Sequence, residues 1–188
     1  MSRLAVFFPG IGYTVDKPLM HYSRRLAAAL GYEVKPLPYS GFPKKILGDA
    51  GKKLASFEIA LDQSLEMLSE TDMSAYEDIL FVGKSIGTIV AAKIASESPA
   101  RGRIRLILYT PLEETFSFPL GKAVAFTGTD DPWVGKENSR IAGLCAQRGI
   151  PCHMIPGGNH SLEGPDPLED IHNLQMVMKE TEAFMRRY

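Results

Sequence analysis

The sequence predicts an α/β protein in which a mainly parallel, six-stranded sheet lies between two layers of helices, as a three-layer α/β/α arrangement. Six short apolar runs, most of them β-branched or aromatic, recur along the chain and are typical of strands buried on both faces. Segments with helical spacing of apolar residues separate these runs, and strands that alternate with helices pair in parallel through right-handed crossovers. The chain has 188 residues. At about 150 residues per domain, we expect residues 1–188 to form one domain.

The predicted elements follow one another without a repeat or a long polar linker. Strands are predicted at 4–8, 32–37, 79–82, 104–109, 123–126 and 151–155. Helices are predicted at about 17–30, 86–95, 136–147 and 168–185, and a further one carries apolar residues spaced by four, four and three at Phe57, Leu61, Leu65 and Leu68. Most glycines and prolines follow the strands. Because ligands bind beyond the carboxyl ends of parallel strands, we expect the functional residues in those loops.

The composition narrows the class of partner. Hydrophobic residues make up 45% of the chain, charged residues 23%, and the formal net charge is -1. These values disfavour a disordered chain, and they disfavour binding through non-specific attraction to nucleic acid or acidic membranes. A small molecule is therefore the expected partner. Only Cys145 and Cys152 occur, which leaves no disulfide framework, and we interpret both as small core residues rather than nucleophiles.

No targeting or membrane-spanning segment is predicted. The apolar run at the start is too short for a signal peptide, and Pro9 and Gly10 break it. No run approaches the roughly 18 apolar residues that a membrane span requires. We therefore expect a cytoplasmic protein, and the sequence specifies no oligomeric state.

Residues 83–87 read Gly-Lys-Ser-Ile-Gly directly after the third predicted strand and before a helix. This Gly-x-Ser-x-Gly pattern in a strand-turn-helix setting is typical of a nucleophile elbow, a tight turn that lifts a serine hydroxyl above the sheet. Ser85 is therefore the candidate nucleophile, and the alternative is a serine that only caps the helix. The segment also resembles the end of a Walker loop, but Asp78 stands where that loop needs a glycine, which disfavours nucleotide binding.

Two later loops supply an acid and a histidine. Residues 128–132 read Gly-Thr-Asp-Asp-Pro, and Asp130 and Asp131 are alternative candidates for the acid that orients a histidine and stabilises its cation. The other interpretation is a carboxylate that only accepts hydrogen bonds from the backbone of its own turn. His160 follows the sixth strand and is the candidate general base, with a non-catalytic loop histidine as the alternative. No pair of histidines has metal-ligand spacing, so we expect neither a metal nor another cofactor.

Backbone N–H groups are the candidates for an oxyanion hole, because they are rigid and already oriented. The residue after the nucleophile, Ile86, offers one at the start of its helix. The second is expected from the glycine-rich segment at 8–13, with Ile11 as the candidate donor. The alternative for this segment is a turn that only reverses the chain.

These motifs follow one another along the chain as oxyanion loop, Ser, Asp and His. In this order the sequence resembles the α/β-hydrolase superfamily over nearly its whole length. The family's acid loop commonly reads Gly-x-x-Asp, which favours Asp131. Some members take the acid from the loop after the fourth strand, where Glu113 and Glu114 stand. The family's first-strand loop often has a histidine where this chain has Pro9, a departure that leaves the second oxyanion donor open.

The resemblance implies acyl transfer through an acyl-enzyme on Ser85, with His160 as the base and an ester or thioester of a small acyl group as substrate. Two alternatives use the same fold: an acyltransferase with an acceptor other than water, and a non-catalytic binding protein. The 110–121 connection is too short for a lid domain, so we expect an open site and short or medium acyl groups. The candidate substrate-binding residues, which could equally be ordinary packing, are Gly12, Tyr13, Leu112, Phe116, Phe118 and Trp133.

Overall fold

The computed structural model describes residues 2–134 and 139–187, and it contains six strands and five α-helices within those ranges. The strands are β1 (Arg3–Phe8), β2 (Glu33–Pro36), β3 (Asp78–Lys84), β4 (Ile104–Tyr109), β5 (Lys122–Gly128) and β6 (Cys152–Ile155). The helices are α1 (Pro18–Ala29), α2 (Ala50–Leu68), α3 (Ile86–Glu97), α4 (Ser139–Gln147) and α5 (Pro167–Arg186). Short 3-10 helices cover Met73–Ala75, Arg101–Arg103 and Glu113–Ser117.

The strands form one sheet in the order β2-β1-β3-β4-β5-β6, and each neighbouring pair is parallel. The predicted fold class is therefore confirmed. The reversal of strand order beside β1 and β3 leaves a crevice at the carboxyl edge of the sheet, the usual ligand position in such folds. Phe8 pairs with Gly83, and Lys84 pairs with Tyr109, so the exits of these strands lie level with one another.

Each face of the sheet is covered by its own layer of helices. One apolar core packs β-strand residues against α2, α3 and α4, and the other packs them against α1 and α5. Successive residues alternate between the two cores, as Phe81 and Val82 do, and both are fully buried. Burial on both faces explains why the strands read as continuous apolar runs rather than as alternating ones.

The observed helices differ from the predicted ones mainly at their starts. Helix α2 begins at Ala50, well before the first apolar marker at Phe57, because the Asp49 side chain accepts a hydrogen bond from Lys52 N at 3.0 Å and caps the helix. Residues 136–138 of the predicted fourth helix lie outside the described residues. Among the helices that the structure describes, none is both long and apolar enough to cross a membrane.

A buried ion pair lies at the amino end of β3. Arg105 Nη2 donates to both carboxylate oxygens of Asp78 at 2.9 Å, and Arg105 Nε donates to Oδ1 at 3.0 Å. The Tyr32 hydroxyl donates to Asp78 Oδ2 at 2.5 Å, and Arg105 Nη1 donates to the Phe184 carbonyl on α5 at 2.8 Å. This network joins β3, β4 and the residue before β2 to α5, and it satisfies the Asp78 carboxylate, as a buried charge requires.

Candidate active site

Ser85 occupies the turn between β3 and α3 in a strained backbone conformation. Its φ and ψ are 55° and -123°, a region that L-residues rarely adopt. Such a conformation costs roughly 1–3 kcal/mol and persists only where the surrounding structure imposes it. The turn places the hydroxyl at the carboxyl edge of the sheet, as the Gly-x-Ser-x-Gly pattern predicts.

Close backbone contact brings the loop after β1 beside this turn. A Cβ atom at Gly87 would collide with the carbonyl oxygen of Phe8, so only glycine allows α3 to start against the end of β1. A Cβ at Gly10 would lie 3.2 Å from Ser85 Cβ. The segment that carries Ile11 therefore passes beside Ser85 and the N-terminus of α3, where Ile86 is the first helical residue.

A chain of two hydrogen bonds joins Ser85, His160 and Asp131. His160 Nε2 lies 2.7 Å from Ser85 Oγ, and His160 Nδ1 lies 2.7 Å from Asp131 Oδ2. When Nδ1 donates to the carboxylate, Nε2 is the acceptor for the serine hydroxyl. Asp131 is 1% exposed, which shields this pair from water.

The other candidate acids bond elsewhere. Asp130 is exposed and accepts a hydrogen bond from Thr129 Oγ1 at 3.1 Å. Glu113 pairs with Arg140 at 3.0 Å, and Glu114 pairs with Lys53 at 2.5 Å. Of the four carboxylates that the sequence offers, the structure brings only Asp131 to the imidazole.

Contacts other than the Asp131–His160 hydrogen bond join the acid loop to the histidine loop. A Cβ at Gly128 would collide with the carbonyl oxygen of Gly158, so a glycine at the end of β5 permits the contact. Asp130 N donates to Gly158 O at 2.9 Å, and Gly157 N donates to Thr129 Oγ1 at 2.7 Å. These contacts fix the distance between Asp131 and His160 independently of the side chains themselves.

Asn159 stabilises the histidine loop, a role that the sequence motifs do not predict. Its Oδ1 accepts a hydrogen bond from Ser161 N at 2.7 Å, and its N–H donates to Glu163 O at 2.9 Å. The next buried residue, Leu162, has a φ of 62° and anchors the loop in the α1/α5 core. The detectable signal is the Asn residue itself, because Asn often bonds the backbone two residues on.

Trp133 contacts both His160 and Asp131. Its ring stacks on the His160 imidazole with a centroid distance of 5.2 Å and an interplanar angle of 25°. Its backbone N–H donates to Asp131 Oδ1 at 2.9 Å. Trp133 therefore holds both the imidazole and the carboxylate in place.

The environment keeps His160 in its neutral form near pH 7. Burial lowers the pKa of His160, the bond to Asp131 opposes this effect, and the positive charges of Lys84 and Lys53 lower the pKa further. The imidazole is then ready to accept a proton at neutral pH.

The remaining candidate substrate-binding residues are not brought together. Leu112 and Phe116 are 1% and 4% exposed and belong to the α2/α3/α4 core. Gly12 is exposed, whereas the Tyr13 ring is buried beneath the loop against Lys84. Phe118 lines a cavity of about 330 Å³ between α2, α3 and the 3-10 helix Glu113–Ser117.

In the parts of the chain that the structure describes, no cluster of three or more His, Cys, Asp or Glu residues could hold a metal ion.

Comparisons with known proteins place the fold. No family model matches the sequence, and no curated protein matches it. A candidate hydrolase of the α/β superfamily from Xanthomonas campestris pv. campestris has a TM-score of 0.69 at 12% identity, covering 100% of both chains. A lid-less serine hydrolase from Xanthomonas campestris has a TM-score of 0.67 at 13% identity and covers 98% of this chain and 81% of its own.

Est1E from Butyrivibrio proteoclasticus, whose structure contains ferulic acid, has a TM-score of 0.67 at 16% identity and covers 97% of this chain and 88% of its own. At such low identity the likeness establishes the fold alone. The protein therefore has the α/β-hydrolase fold. Of the structural neighbours named above, one is described as a serine hydrolase without a lid.

Proposed function

We propose that the protein is a serine hydrolase that cleaves a carboxylic ester or thioester of a small acyl substrate. The observation that carries the proposal is the hydrogen-bonded chain from Ser85 through His160 to Asp131, with both bonds at 2.7 Å. Nucleophile, base and orienting acid within hydrogen-bond reach are the arrangement that covalent acyl transfer requires.

In the first half-reaction, His160 Nε2 takes the hydroxyl proton as Ser85 Oγ attacks the acyl carbon. The carbonyl oxygen becomes an oxyanion, and the N–H groups of Ile86 and Ile11 are the proposed donors to it. The intermediate then collapses and the bond to the leaving group breaks. The imidazolium gives its proton to the leaving oxygen of an ester or the leaving sulfur of a thioester, which departs as the alcohol or thiol. Asp131 stabilises the imidazolium throughout and retains its own charge.

In the second half-reaction, His160 takes a proton from water, and the water oxygen attacks the acyl carbon on Ser85. Collapse of the second tetrahedral intermediate releases the carboxylic acid, and the proton on His160 returns to Ser85 Oγ. The enzyme is regenerated with one water consumed for each ester bond broken.

The cavity of about 330 Å³ is the proposed site for the acyl chain. Leu54, Phe57, Ile89 and Phe118 give it apolar walls, and Ile89 lies one helical turn after Ser85. The Lys53–Glu114 ion pair also lines the cavity, and Lys53 is near enough to His160 to affect its pKa. A cavity of this size with apolar walls favours acyl chains of medium length.

Steady-state hydrolysis of p-nitrophenyl esters tests the proposed function. Ser85→Ala and His160→Ala should each lower kcat by about 10⁶-fold if the three residues act as a unit. Activity that survives in purified Ser85→Ala protein would contradict the proposal. Release of free acid, compared with transfer to added alcohols or amines, distinguishes hydrolysis from acyl transfer to another acceptor.

A pair of substitutions on one helix tests the acyl site. Leu54→Trp should narrow the cavity and lower kcat/KM for an octanoyl ester relative to an acetyl ester. Leu65→Trp is the matched control, because Leu65 is similarly exposed on α2, at 51% against 58%, but lies away from this cavity. Equal chain-length profiles for the two variants would place the acyl chain elsewhere.

A further inference from the structure

Lys84 is a buried charge that the proposed reaction leaves unused. It stands between Gly83 and Ser85 at the end of β3 and is 1% exposed. Its Nζ lies 4.9 Å from the centroid of the Tyr13 ring, over the ring face. A cation over an aromatic face is attracted by the ring electrons, more strongly where water is excluded.

The ring that covers Lys84 belongs to the loop that carries the proposed oxyanion donor. Tyr13 is 7% exposed, and its hydroxyl accepts a hydrogen bond from Leu19 N at 3.1 Å. The carbonyl of Tyr13 accepts a hydrogen bond from Gly10 N at 3.1 Å, which closes the turn around Ile11. The Tyr13 ring thus connects Lys84 to the hydrogen-bonded turn of residues 10–13 and to the first turn of α1.

Ionisable groups face Lys84 from every neighbouring element. They are Tyr13 after β1, Tyr109 on β4, Asp131 after β5, and His160 and Glu163 after β6. Burial lowers the pKa of Lys84 to about 7, although the charges of Asp131 and Glu163 favour the ammonium form. Burial raises the pKa of Tyr109 to about 12 and raises that of Tyr13, so both phenols stay neutral where Lys84 titrates.

We propose that Lys84 is a positioning residue whose ammonium holds the oxyanion loop against the nucleophile turn through the Tyr13 ring, and that loss of its proton releases the loop. The inference rests on the proposed hydrolase function. The protonated lysine also disfavours the imidazolium form of His160. Ionisation of Lys84 therefore affects both the oxyanion loop and the base. Activity then depends on an uncharged His160 and a charged Lys84, and their apparent pKa values belong to the pair.

The pH profile of kcat/KM between pH 5 and 9 tests this role. The wild type should give a bell-shaped profile, with an acid limb below the ordinary range of an imidazole and a basic limb near pH 7. In Lys84→Met the basic limb should disappear and the acid limb should move to higher pH. At the wild-type optimum kcat should fall about 30-fold, a size typical of one desolvated cation–ring contact.

Four variants separate the loop contact from a general effect of charge. Tyr13→Phe keeps the ring and should keep both limbs, whereas Tyr13→Leu should lose the basic limb and keep the acid limb. Lys53→Met removes another charge that acts on His160 and should keep the basic limb. Lys84→Arg, which stays charged, should remain active at alkaline pH and covers the case in which Lys84→Met folds poorly.

Two measurements on the wild type do not depend on turnover. The ¹³Cε signal of Lys84 should titrate near pH 7, and amide hydrogen exchange of residues 10–13, corrected for its intrinsic pH dependence, should increase above that pH. A Lys84 that titrates near its ordinary value, or a basic limb that persists in Lys84→Met, overturns the inference. An unchanged rate of ester hydrolysis in Ser85→Ala overturns the proposed function instead.

Discussion

The two ends of β3 bury opposite charges in different ways. At the amino end, the Asp78 carboxylate receives hydrogen bonds from Arg105 and Tyr32 at 2.5–3.0 Å. At the carboxyl end, Lys84 faces the ring of Tyr13, and its pKa falls to about 7. One strand of seven residues thus carries a matched ion pair at one edge of the sheet and a titratable amine at the other.

This difference separates a charge that builds the fold from a charge that can respond. A fully bonded buried pair resists change, because removing one partner leaves the other charge uncompensated. A buried amine with a lowered pKa changes its charge near neutral pH at little cost. Lys84 and His160, whose pKa values are both lowered, lie at the carboxyl edge with Ser85 and Asp131.

The largest expected effect is on catalysis at the carboxyl edge. Asp131→Asn should lower kcat by about 10⁴-fold, because the amide favours the wrong tautomer of His160. Unfolding in urea should show that the fold is retained. A loss of less than tenfold in ester hydrolysis would mean that Asp131 does not orient the imidazole.

The amino edge should respond in the opposite way. Asp78→Asn removes the carboxylate beside buried Arg105 and should lower the free energy of unfolding by about 3–5 kcal/mol. The kcat of the remaining folded protein should change little. Asp16→Asn is the control, because its ion pair with Arg24 is exposed on the Asp side, and surface pairs contribute about 0–1 kcal/mol.

The third prediction concerns stability against pH. Lys84 has a folded pKa of about 7, and an unfolded lysine has one of about 10.4, so the unfolded chain binds more protons between these values. The contribution of Lys84 to stability should therefore rise with pH from about 7 to about 10, by about 1 kcal/mol per pH unit. Urea unfolding of the wild type and Lys84→Met at pH 6, 7, 8 and 9 measures the difference, and parallel stability curves would contradict it.

The smallest predicted effect concerns the ring that stacks on His160. Trp133→Leu removes a contact worth about 0.5–1.5 kcal/mol, so kcat should fall by about tenfold or less. Trp133→Phe keeps a stacking ring and should recover most of the loss. A leucine variant with wild-type kcat would show that the hydrogen bond to Asp131 alone positions the base.

The sequence predicts the sheet better than it predicts the cavities. Strands such as β3 and β4 are buried on both faces, so their apolar runs identify them directly. Leu112 and Phe118 are both large apolar residues in the sequence, yet one is buried in the core and the other lines a cavity. That difference depends on how the 3-10 helix Glu113–Ser117 and α2 each pack on α3.

The sequence likewise predicts some parts of the candidate site better than others. The motif and the order of the loops point to Ser85, Asp131 and His160, and the structure brings these three together. The surroundings of Lys84 could not be predicted, because they join loops that are distant along the chain. A lysine at the end of a buried strand was nevertheless a visible signal.

Covalent labelling with a fluorophosphonate probe tests the central claim most directly, because the probe reacts with an activated serine. Peptide mass spectrometry should find one phosphonate on Ser85 in the wild type and none in Ser85→Ala, with labelling strongly slowed in His160→Ala. Absence of label on Ser85, or equal labelling rates in the wild type and His160→Ala, would contradict the proposal that His160 activates Ser85 as the nucleophile.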